Sequence, residues 1–232
     1  MSLLQVQKLS ARYGDFQALF AIDFHAEAGE TIAIIGSNGA GKSTFLNAIA
    51  GLVAVERESI VFDGKPIGGL RACDVVRHGV ALVPEGRRLF PSLTVEENLL
   101  MGAYGGGKGV WTLSTVYDLF PRLKERRRQP AGQMSGGEQQ MVAIGRALMS
   151  NPKLLMCDEL SLGLAPKIII QIYGTLKHIR EQGTTMILVE QDIQQAMAVA
   201  ERLYCFQVGR VSLEGHPSEM SHDKVARAYF GV

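Results

Sequence analysis

One stretch near the N-terminus, TIAIIGSNGAGKST at residues 31–44, decides the fold class. Its first five residues are apolar or β-branched, which is typical of a short central strand that is covered on both faces. The glycine-rich segment that follows, at residues 36–43, fits the phosphate-loop pattern G-x-x-x-x-G-K-S. A strand pattern precedes it and a helical pattern follows it, as the phosphate loop requires. We therefore predict a loop that wraps an anion at the start of a helix.

The residue types of this loop indicate a nucleoside triphosphate as the ligand. The predicted contact residues are Gly36, Ser37, Asn38, Gly39, Ala40, Gly41, Lys42, Ser43 and Thr44. The glycines allow the backbone N–H groups to curl around an anion at the positive end of a helix dipole. Lys42 is expected to reach the β- and γ-phosphates as a point charge, and the Ser43 hydroxyl is expected to ligate Mg²⁺.

Apolar runs elsewhere predict buried strands that alternate with helices. Strands are predicted at 80–83, 154–157, 185–189 and 203–208, and helices at 43–52, 142–149, 167–180 and 193–200. This alternation predicts an α/β fold with a mostly parallel central sheet and crossover helices. The first 25 residues read instead as an N-terminal antiparallel β subdomain.

The pattern changes between residues 86 and 134, where helices are predicted at 94–101 and 113–127. A glycine-rich run at 105–109 lies between these helices, and we expect it to be a mobile connector because ordering glycine is costly. We therefore predict one domain, with residues 1–85 and 135–232 as a nucleotide-binding core and 86–134 as an inserted helical subdomain.

Composition limits the classes of protein to which the chain can belong. With 24 Lys and Arg against 23 Asp and Glu, its net charge of +1 gives no support for a nucleic-acid partner. Three scattered cysteines argue against a disulfide framework and a structural zinc site. No apolar run approaches the roughly 20 residues of a membrane helix. We expect a cytoplasmic protein that meets a membrane only through its partners.

A pair of adjacent carboxylates, Asp158 and Glu159, follows the predicted strand at 154–157. Adjacent strand residues face opposite sides, so the two acids can have different tasks. By itself such a pair is compatible with loop or capping chemistry. With a phosphate loop upstream it favours phosphoryl transfer, in which Asp158 holds the Mg²⁺ shell and Glu159 polarises the attacking water.

A second candidate site is formed by Ser135, Gly136, Gly137 and Glu138, which precede a helical pattern. The spacing of Ser135 and Glu138 predicts a capping box at the start of that helix. Two glycines in the first turn are poor helix formers, and they are best tolerated where bare N–H groups approach a ligand closely. The segment therefore predicts a second anion site.

These three elements, in this order and spacing, resemble the ATPase subunits of ABC transporters, which have the P-loop NTPase fold. The resemblance covers nearly the whole chain, and it implies ATP with Mg²⁺ as the bound nucleotide. Residues 135–138 are similar to the ABC signature, which faces the triphosphate bound by the opposite subunit of a head-to-tail dimer. Tyr13 resembles the aromatic that stacks on adenine, although a Tyr before Gly is also a common turn residue. Residues 161–165 resemble the loop that crosses the dimer interface.

Four stretches are similar to the ATPases of branched-chain amino-acid importers: 83–98, 161–167, 189–192 and 226–231. Glu85 stands where most ABC ATPases have a Gln that senses the metal, and Gln191 stands where most have a His. The resemblance thus implies Glu85 as a metal-shell residue and Gln191 as a catalytic sensor of the γ-phosphate. The implied partners are a second ATPase chain, identical or a sister subunit, integral membrane permeases and, indirectly, a periplasmic or extracellular solute-binding protein.

The chain departs from the family pattern at three positions: Leu160 replaces a common Pro, Met134 a common Leu, and Glu138 a common Gln. The run at 122–128 carries five positive charges and one negative. It is compatible with a solvated helix face or with a contact to lipid headgroups or a partner.

The resulting hypothesis is an ATPase, peripheral on the inner face of the cell membrane, that powers uptake of branched-chain or related hydrophobic amino acids. Amides, urea or another solute remain open as cargo. A soluble ABC ATPase of translation or DNA repair would be expected to carry two cassettes or long heptad repeats. A binding-only module without catalysis is a further alternative. A small P-loop kinase or GTPase would leave residues 135–138 and Gln191 without a role.

Overall fold

Two β-sheets form the framework of the protein in the computed structural model, which describes residues 2–220 and 222–230. The strands are β1 (Ser2–Tyr13), β2 (Phe16–Glu27), β3 (Thr31–Ile35), β4 (Ile60–Phe62), β5 (Lys65–Pro66), β6 (Val80–Val83), β7 (Leu154–Asp158), β8 (Thr185–Glu190), β9 (Arg202–Gln207) and β10 (Arg210–Gly215). The helices are α1 (Lys42–Ile49), α2 (Ala72–Arg77), α3 (Val95–Gly102), α4 (Leu113–Leu119), α5 (Pro121–Glu125), α6 (Gly136–Leu148), α7 (Pro166–Glu181), α8 (Ile193–Val199) and α9 (His222–Phe230). Position 231, the end of the predicted 226–231 similarity, lies outside the described residues.

The central sheet has six strands in the order β10-β9-β3-β8-β7-β6. β3 pairs in parallel with β8 and β9, β7 pairs in parallel with β6 and β8, and β10 pairs antiparallel to β9. All five residues of β3 are buried, as expected of a strand covered on both faces. The predicted mostly parallel sheet is confirmed. Its parallel strands end at one edge, where ligands of such sheets bind.

The N-terminal segment forms an antiparallel sheet in the order β2-β1-β4-β5. The predicted β1–β2 hairpin is confirmed, and it closes with Tyr13 opposite Phe16. Inward-facing residues of β1 share one hydrophobic core with Phe45, Leu46 and Ile49 of α1. The antiparallel sheet thereby packs against the helix that follows the glycine-rich loop. The short elements β4, β5 and α2 were not predicted, since two to six residues carry little periodicity.

Helices α3 to α5 lie in sequence between β6 and β7, and α6 packs against α3. The predicted single helix at 113–127 is wrong: α4 ends at Leu119 and α5 begins at Pro121. Proline lacks an N–H group and disfavours helical geometry at the preceding residue. Phe120 accordingly has φ −129° and ψ 75° and separates the two helices. No helix in the described ranges has both the length and the apolar character to span a bilayer.

The glycine run at 105–109, which is predicted to be a mobile connector, contacts the residues that follow α6. The Gly107 N–H donates to the carbonyl oxygen of Ser150 at 3.2 Å. The Asn151 Nδ2 donates to the carbonyl oxygens of Gly107, at 3.2 Å, and Trp111, at 3.0 Å. These bonds attach the connector to the residues just after α6, the helix that begins in the signature-like segment 135–138.

A buried amide, Asn98 of α3, holds the segment before that helix in place. Its side chain is fully buried, accepts from the Phe90 N–H at 3.0 Å, and donates to the carbonyl oxygens of Phe90, Leu93 and Thr94. Replacing Asn98 by Ala would leave the Phe90 N–H without its acceptor. It would also remove one donor from each of the three carbonyl oxygens, which keep a backbone donor. We expect the free energy of unfolding to fall by about 2–4 kcal/mol, measured by urea denaturation.

The matched control is Gln171→Ala, since Gln171 is an exposed amide on α7. Its effect is expected to stay within about 0.5 kcal/mol. Equal unfolding midpoints for the two variants would contradict the role assigned to Asn98.

Candidate nucleotide-binding site

An open cavity of about 540 Å³ lies where β3, β7 and β8 end. Its lining combines residues 38–44 with Tyr13, Glu85, Glu159 and Gln191. The structure therefore brings together predicted residues that are up to 178 positions apart in sequence (191 − 13). Asp158 lines an adjoining cavity, of about 600 Å³, that shares Tyr13, Ser43 and Glu85 with the first.

The phosphate loop opens α1 in the predicted manner. β3 ends at Ile35 and α1 begins at Lys42. Between them, Gly41 is the N-cap residue with φ 99°, a conformation that glycine adopts without the steric cost of a side chain. Because no side chain caps this helix, its first N–H groups remain available for an anion.

Lys42 is a buried cation held by neutral oxygens. It is 4% exposed, and its Nζ donates to the carbonyl oxygens of Gly36, at 2.6 Å, and Ser37, at 3.0 Å. Burial lowers the pKa of this amine, while the charges of Glu159 and Asp158 oppose the shift. A phosphate group beside Lys42 would supply the anionic partner that loop carbonyls do not.

Asp158, at the end of β7, has the properties of a metal-shell residue. It is 6% exposed, interacts with the Ser43 hydroxyl, and leaves a buried Oδ1 without a hydrogen bond. Burial and the neighbouring carboxylates of Glu159 and Glu85 raise its pKa, although Ser43 and Lys42 oppose the shift. A cation here would partner the orphaned oxygen and relieve the repulsion between the acids.

The donor set fits Mg²⁺, which prefers carboxylate and hydroxyl oxygens and keeps several water or phosphate ligands. Among the described residues, no group of three or more His, Cys, Asp or Glu side chains could hold a metal by itself. Ser43, Asp158 and Glu85 would thus supply part of a shell that the triphosphate and water complete.

Glu159 and Gln191 are joined by a hydrogen bond. The Gln191 Nε2 donates to the Glu159 Oε2 at 2.7 Å. Glu159 has φ 51°, and its N–H donates to the carbonyl oxygen of Val189 at 3.0 Å. The next residue, Leu160, is 1% exposed and belongs to a hydrophobic core. Burial of this side chain therefore anchors the chain where the family commonly has a proline.

The segment 135–138 forms the predicted capping box at the start of α6. Ser135 Oγ accepts from the Glu138 N–H at 3.4 Å, and the Glu138 carboxylate accepts from the Ser135 N–H at 3.0 Å. None of these four residues lines the cavity that contains Lys42. The structure thus keeps the two predicted anion sites of one chain apart.

Two arginines of the basic run at 122–128 form ion pairs with Glu138. The Nε atoms of Arg126 and Arg122 lie 3.3 Å and 3.7 Å from its Oε1. Burial alone would raise the pKa of Glu138, but hydrogen bonds from Ser135 and the two guanidinium groups outweigh it and lower the pKa. The Glu138 carboxylate, which replaces the common Gln, therefore stays ionised, and its charge is balanced by arginines of the same chain.

Gly137 is buried against α7. A Cβ atom at this position would lie 2.6 Å from the Ile168 Cγ2. Gly137→Ala is expected to lower the free energy of unfolding by about 1–3 kcal/mol through this clash. The additional change Ile168→Ala should relieve it, as measured by urea denaturation. If the anion site also needs bare backbone at 137, phosphate release by the double variant will stay low.

The matched control is Gly174→Ala on α7, because nothing lies within 4 Å of the added Cβ. Helix propensity predicts that this change stabilises by about 1 kcal/mol. Failure of Ile168→Ala to restore stability to Gly137→Ala would refute the packing explanation.

The family model described as ABC transporter matches residues 19–161, which is more than half of the chain. The chain belongs to the ABC transporter family. It is 47% identical over 232 residues to the high-affinity branched-chain amino acid transport ATP-binding protein BraG of Pseudomonas aeruginosa, covering 99% of this chain and 100% of that one. It is 33% identical to a probable branched-chain amino acid transport ATP-binding protein, LivF, of Archaeoglobus fulgidus, covering 99% of each.

Solved structures of ABC cassettes have the same fold. One ATP-binding cassette in its ADP conformation superposes with a TM-score of 0.84 at 27% identity, covering 100% of both chains. A dimeric cassette in a post-hydrolysis state, bound to ADP and Pi, has a TM-score of 0.80 at 25% identity and covers 92% of this chain and 98% of that one. As an ABC ATPase, the protein binds ATP and hydrolyses it.

Besides Ala18, which also lines the cavity, the sequence analysis of this ABC ATPase did not predict two residues at or beside the site. Phe16 is 70% exposed, faces Tyr13 across the hairpin and lines the same cavity. An aromatic three residues after Tyr13, beyond a Gly-Asp turn, was a signal that could have identified it. The second is Glu190, a buried carboxylate that contacts Ser161, and the sequence gives no signal for this contact.

Proposed function

We propose that this ABC ATPase powers an importer of branched-chain or related hydrophobic amino acids. The observation that carries the proposal is the full-length, 47% identity to the branched-chain amino acid transport protein of Pseudomonas aeruginosa. Relatives named for phosphonates, Nod factor and sn-glycerol-3-phosphate are 31–32% identical. The cassette is thus common to transporters of different solutes, and the assignment of the solute follows the greater similarity.

In the proposed binding mode, the N–H groups at the start of α1 and the Lys42 ammonium take the triphosphate. Tyr13 and Phe16 are exposed aromatics at the rim of the same cavity and offer a stacking surface for adenine. Ser43, Asp158 and Glu85 would hold Mg²⁺, which supplies positive charge to the phosphate oxygens.

In the proposed hydrolytic step, Glu159 orients and polarises the water that attacks the γ-phosphate. Gln191 holds the Oε2 of this carboxylate through its amide, and it can hydrogen-bond a phosphate oxygen as well. A neutral amide cannot take up a proton near pH 7, so the role of base falls to Glu159.

We further propose that the working unit is a head-to-tail dimer. This is supported by the separation of the signature-like segment from the Lys42 cavity of its own chain and by the dimeric cassettes among the structural relatives. In this arrangement residues 135–138 close over the nucleotide of the other chain, and residues 161–165 cross the interface. The second chain is either identical or a sister ATPase.

The adjoining cavity of about 600 Å³ is our proposed contact for the membrane permease. Its lining includes apolar side chains from α2 and from the segment that follows α1, among them Val75, Val76 and the 61% exposed Leu52. Arg88 adds a positive charge at the rim. The cavity joins residues of the proposed nucleotide-binding core to Arg88 of the proposed helical subdomain, 86–134. An ATPase that binds the permease through this cavity would be cytoplasmic and peripheral on the inner face of the membrane.

Reconstitution with branched-chain amino-acid permeases that bind this ATPase, and with their solute-binding protein, tests this function. Leucine, isoleucine and valine should stimulate phosphate release from proteoliposomes, whereas urea and acetamide should not. Stimulation by the amides alone would assign a different solute. Lack of any stimulation, with intact basal hydrolysis and a permease-bound ATPase, would refute amino-acid import.

A further inference from the structure

Glu190, the last residue of β8, is a buried carboxylate that forms no salt bridge within residues 2–220 and 222–230. It is 1% exposed, and burial raises its pKa. The groups that act on it include the hydroxyls of Tyr173 and Ser161, the carboxylate of Glu159 and the Ser161 backbone N–H. Burying an unpaired carboxylate is costly. The cost points to a task that an apolar residue at this position could not perform.

The two oxygens of Glu190 face two different elements. The Ser161 Oγ, in the loop after β7, donates to Oε2 at 2.8 Å. Oε1 and the Tyr173 hydroxyl of α7 are both buried, and neither has a hydrogen-bond partner within normal distance. The two groups are nevertheless close enough for the hydroxyl to stabilise the charged carboxylate. The carboxylate therefore lies between the loop that follows β7 and the helix into which this loop leads.

Three consecutive residues at the end of β8 bind the segment 159–161. The Val189 carbonyl oxygen accepts from the Glu159 N–H at 3.0 Å, Glu190 accepts from Ser161, and Gln191 donates to the Glu159 side chain at 2.7 Å. Glu159 itself has φ 51°, a backbone conformation that non-glycine residues adopt only when their surroundings impose it. Of these three contacts, only the hydrogen bond from the Ser161 hydroxyl to Glu190 involves a residue of the proposed interface loop, 161–165.

We infer that Glu190 is a positioning residue for ATP hydrolysis, which acts by fixing Ser161 and through it the loop that carries Glu159. The inference rests on the proposed role of Glu159 as the group that orients water. Loss of the bond would loosen residues 161–165, beyond the anchored Leu160, so the carboxylate of Glu159 would spend less time in its productive position. ATP binding at Lys42 does not involve this contact.

Steady-state kinetics of Glu190→Ala, Ser161→Ala and the double variant test the inference. Each single change should lower kcat by roughly 10- to 100-fold, the range for loss of a hydrogen bond to a charged group, with little change in KM for ATP. The double variant should be no slower than the slower single variant, because both changes remove one contact. Glu190→Gln keeps an acceptor oxygen and should recover most of the activity.

The matched control is Thr175→Ala on α7, whose hydroxyl bonds only to the carbonyl oxygen of Ile172 among the described contacts. It should leave kcat unchanged. If Glu190→Ala fails to fold, Ser161→Ala and Glu190→Gln still decide the matter, since full activity of Ser161→Ala overturns the inference. Multiplicative losses in the double variant, or a raised KM with unchanged kcat, would also overturn it.

A parallel measurement on Glu159→Gln distinguishes failure of the proposed role of Glu159 from failure of the positioning role of Glu190. Persistent hydrolysis by Glu159→Gln would remove the proposed role of Glu159 itself. An inactive Glu159→Gln beside a fully active Ser161→Ala would remove only the positioning role of Glu190.

Discussion

Replacing Glu159 by Gln should reduce steady-state ATP hydrolysis by about 10²- to 10⁴-fold, the range for loss of a general base. The amide keeps the size of the side chain and an oxygen that can accept from Gln191 Nε2, which now lies 2.7 Å from the carboxylate. It cannot take a proton from water. Phosphate release measures the loss, and equilibrium binding of ATP should be nearly unchanged.

The same variant should accumulate as the proposed dimer when ATP is added, because the nucleotide proposed to close that dimer would no longer be consumed. Light scattering with and without ATP measures this. The control is Glu58→Gln, because Glu58 is an exposed carboxylate that does not line the cavity. This variant should hydrolyse ATP at the normal rate. Undiminished turnover by Glu159→Gln would refute its catalytic role.

Replacing Lys42 by Met should weaken ATP binding by roughly 10- to 100-fold, as expected when a charge-assisted contact to phosphate is lost. Methionine retains most of the buried aliphatic stem but removes the ammonium. Isothermal titration with ATP in the presence of Mg²⁺ measures the affinity, and circular dichroism verifies that the variant is folded.

The control for this change is Lys177→Met, an exposed lysine on α7. It should bind ATP as the unaltered protein does. Equal affinities for the Lys42→Met variant and the unaltered protein would place the triphosphate elsewhere and contradict the assignment of the cavity.

The local parts of the site were predictable because their signals are contiguous in the chain. A β-branched strand, three glycines and Lys42 lie within residues 31–44, and the structure forms β3, the loop and α1 from them. The capping box at residues 135–138 is equally local. The break at Pro121 was also accessible, because proline disfavours a continuous helix.

Long-range contacts were not predictable from these patterns. Gln191 and Glu159 are 32 residues apart, and Ser161 and Glu190 are 29 apart. They meet because β7 and β8 are neighbours in the sheet, with Asp158 opposite Val189. Apolar runs identify strands but not their order, so a buried carboxylate at the end of one strand gives no indication of the loop that it will bind.

Tyr13, Ser43 and Glu85 line both of the adjoining cavities. A partner seated in one cavity and a nucleotide in the other would therefore press on the same side chains. Thermodynamic linkage then requires reciprocity: whatever factor the permease imposes on nucleotide affinity, the nucleotide imposes on the affinity of the permease. With the proposed permease contact in place, solute arrival and nucleotide binding would act on each other through Tyr13, Ser43 and Glu85.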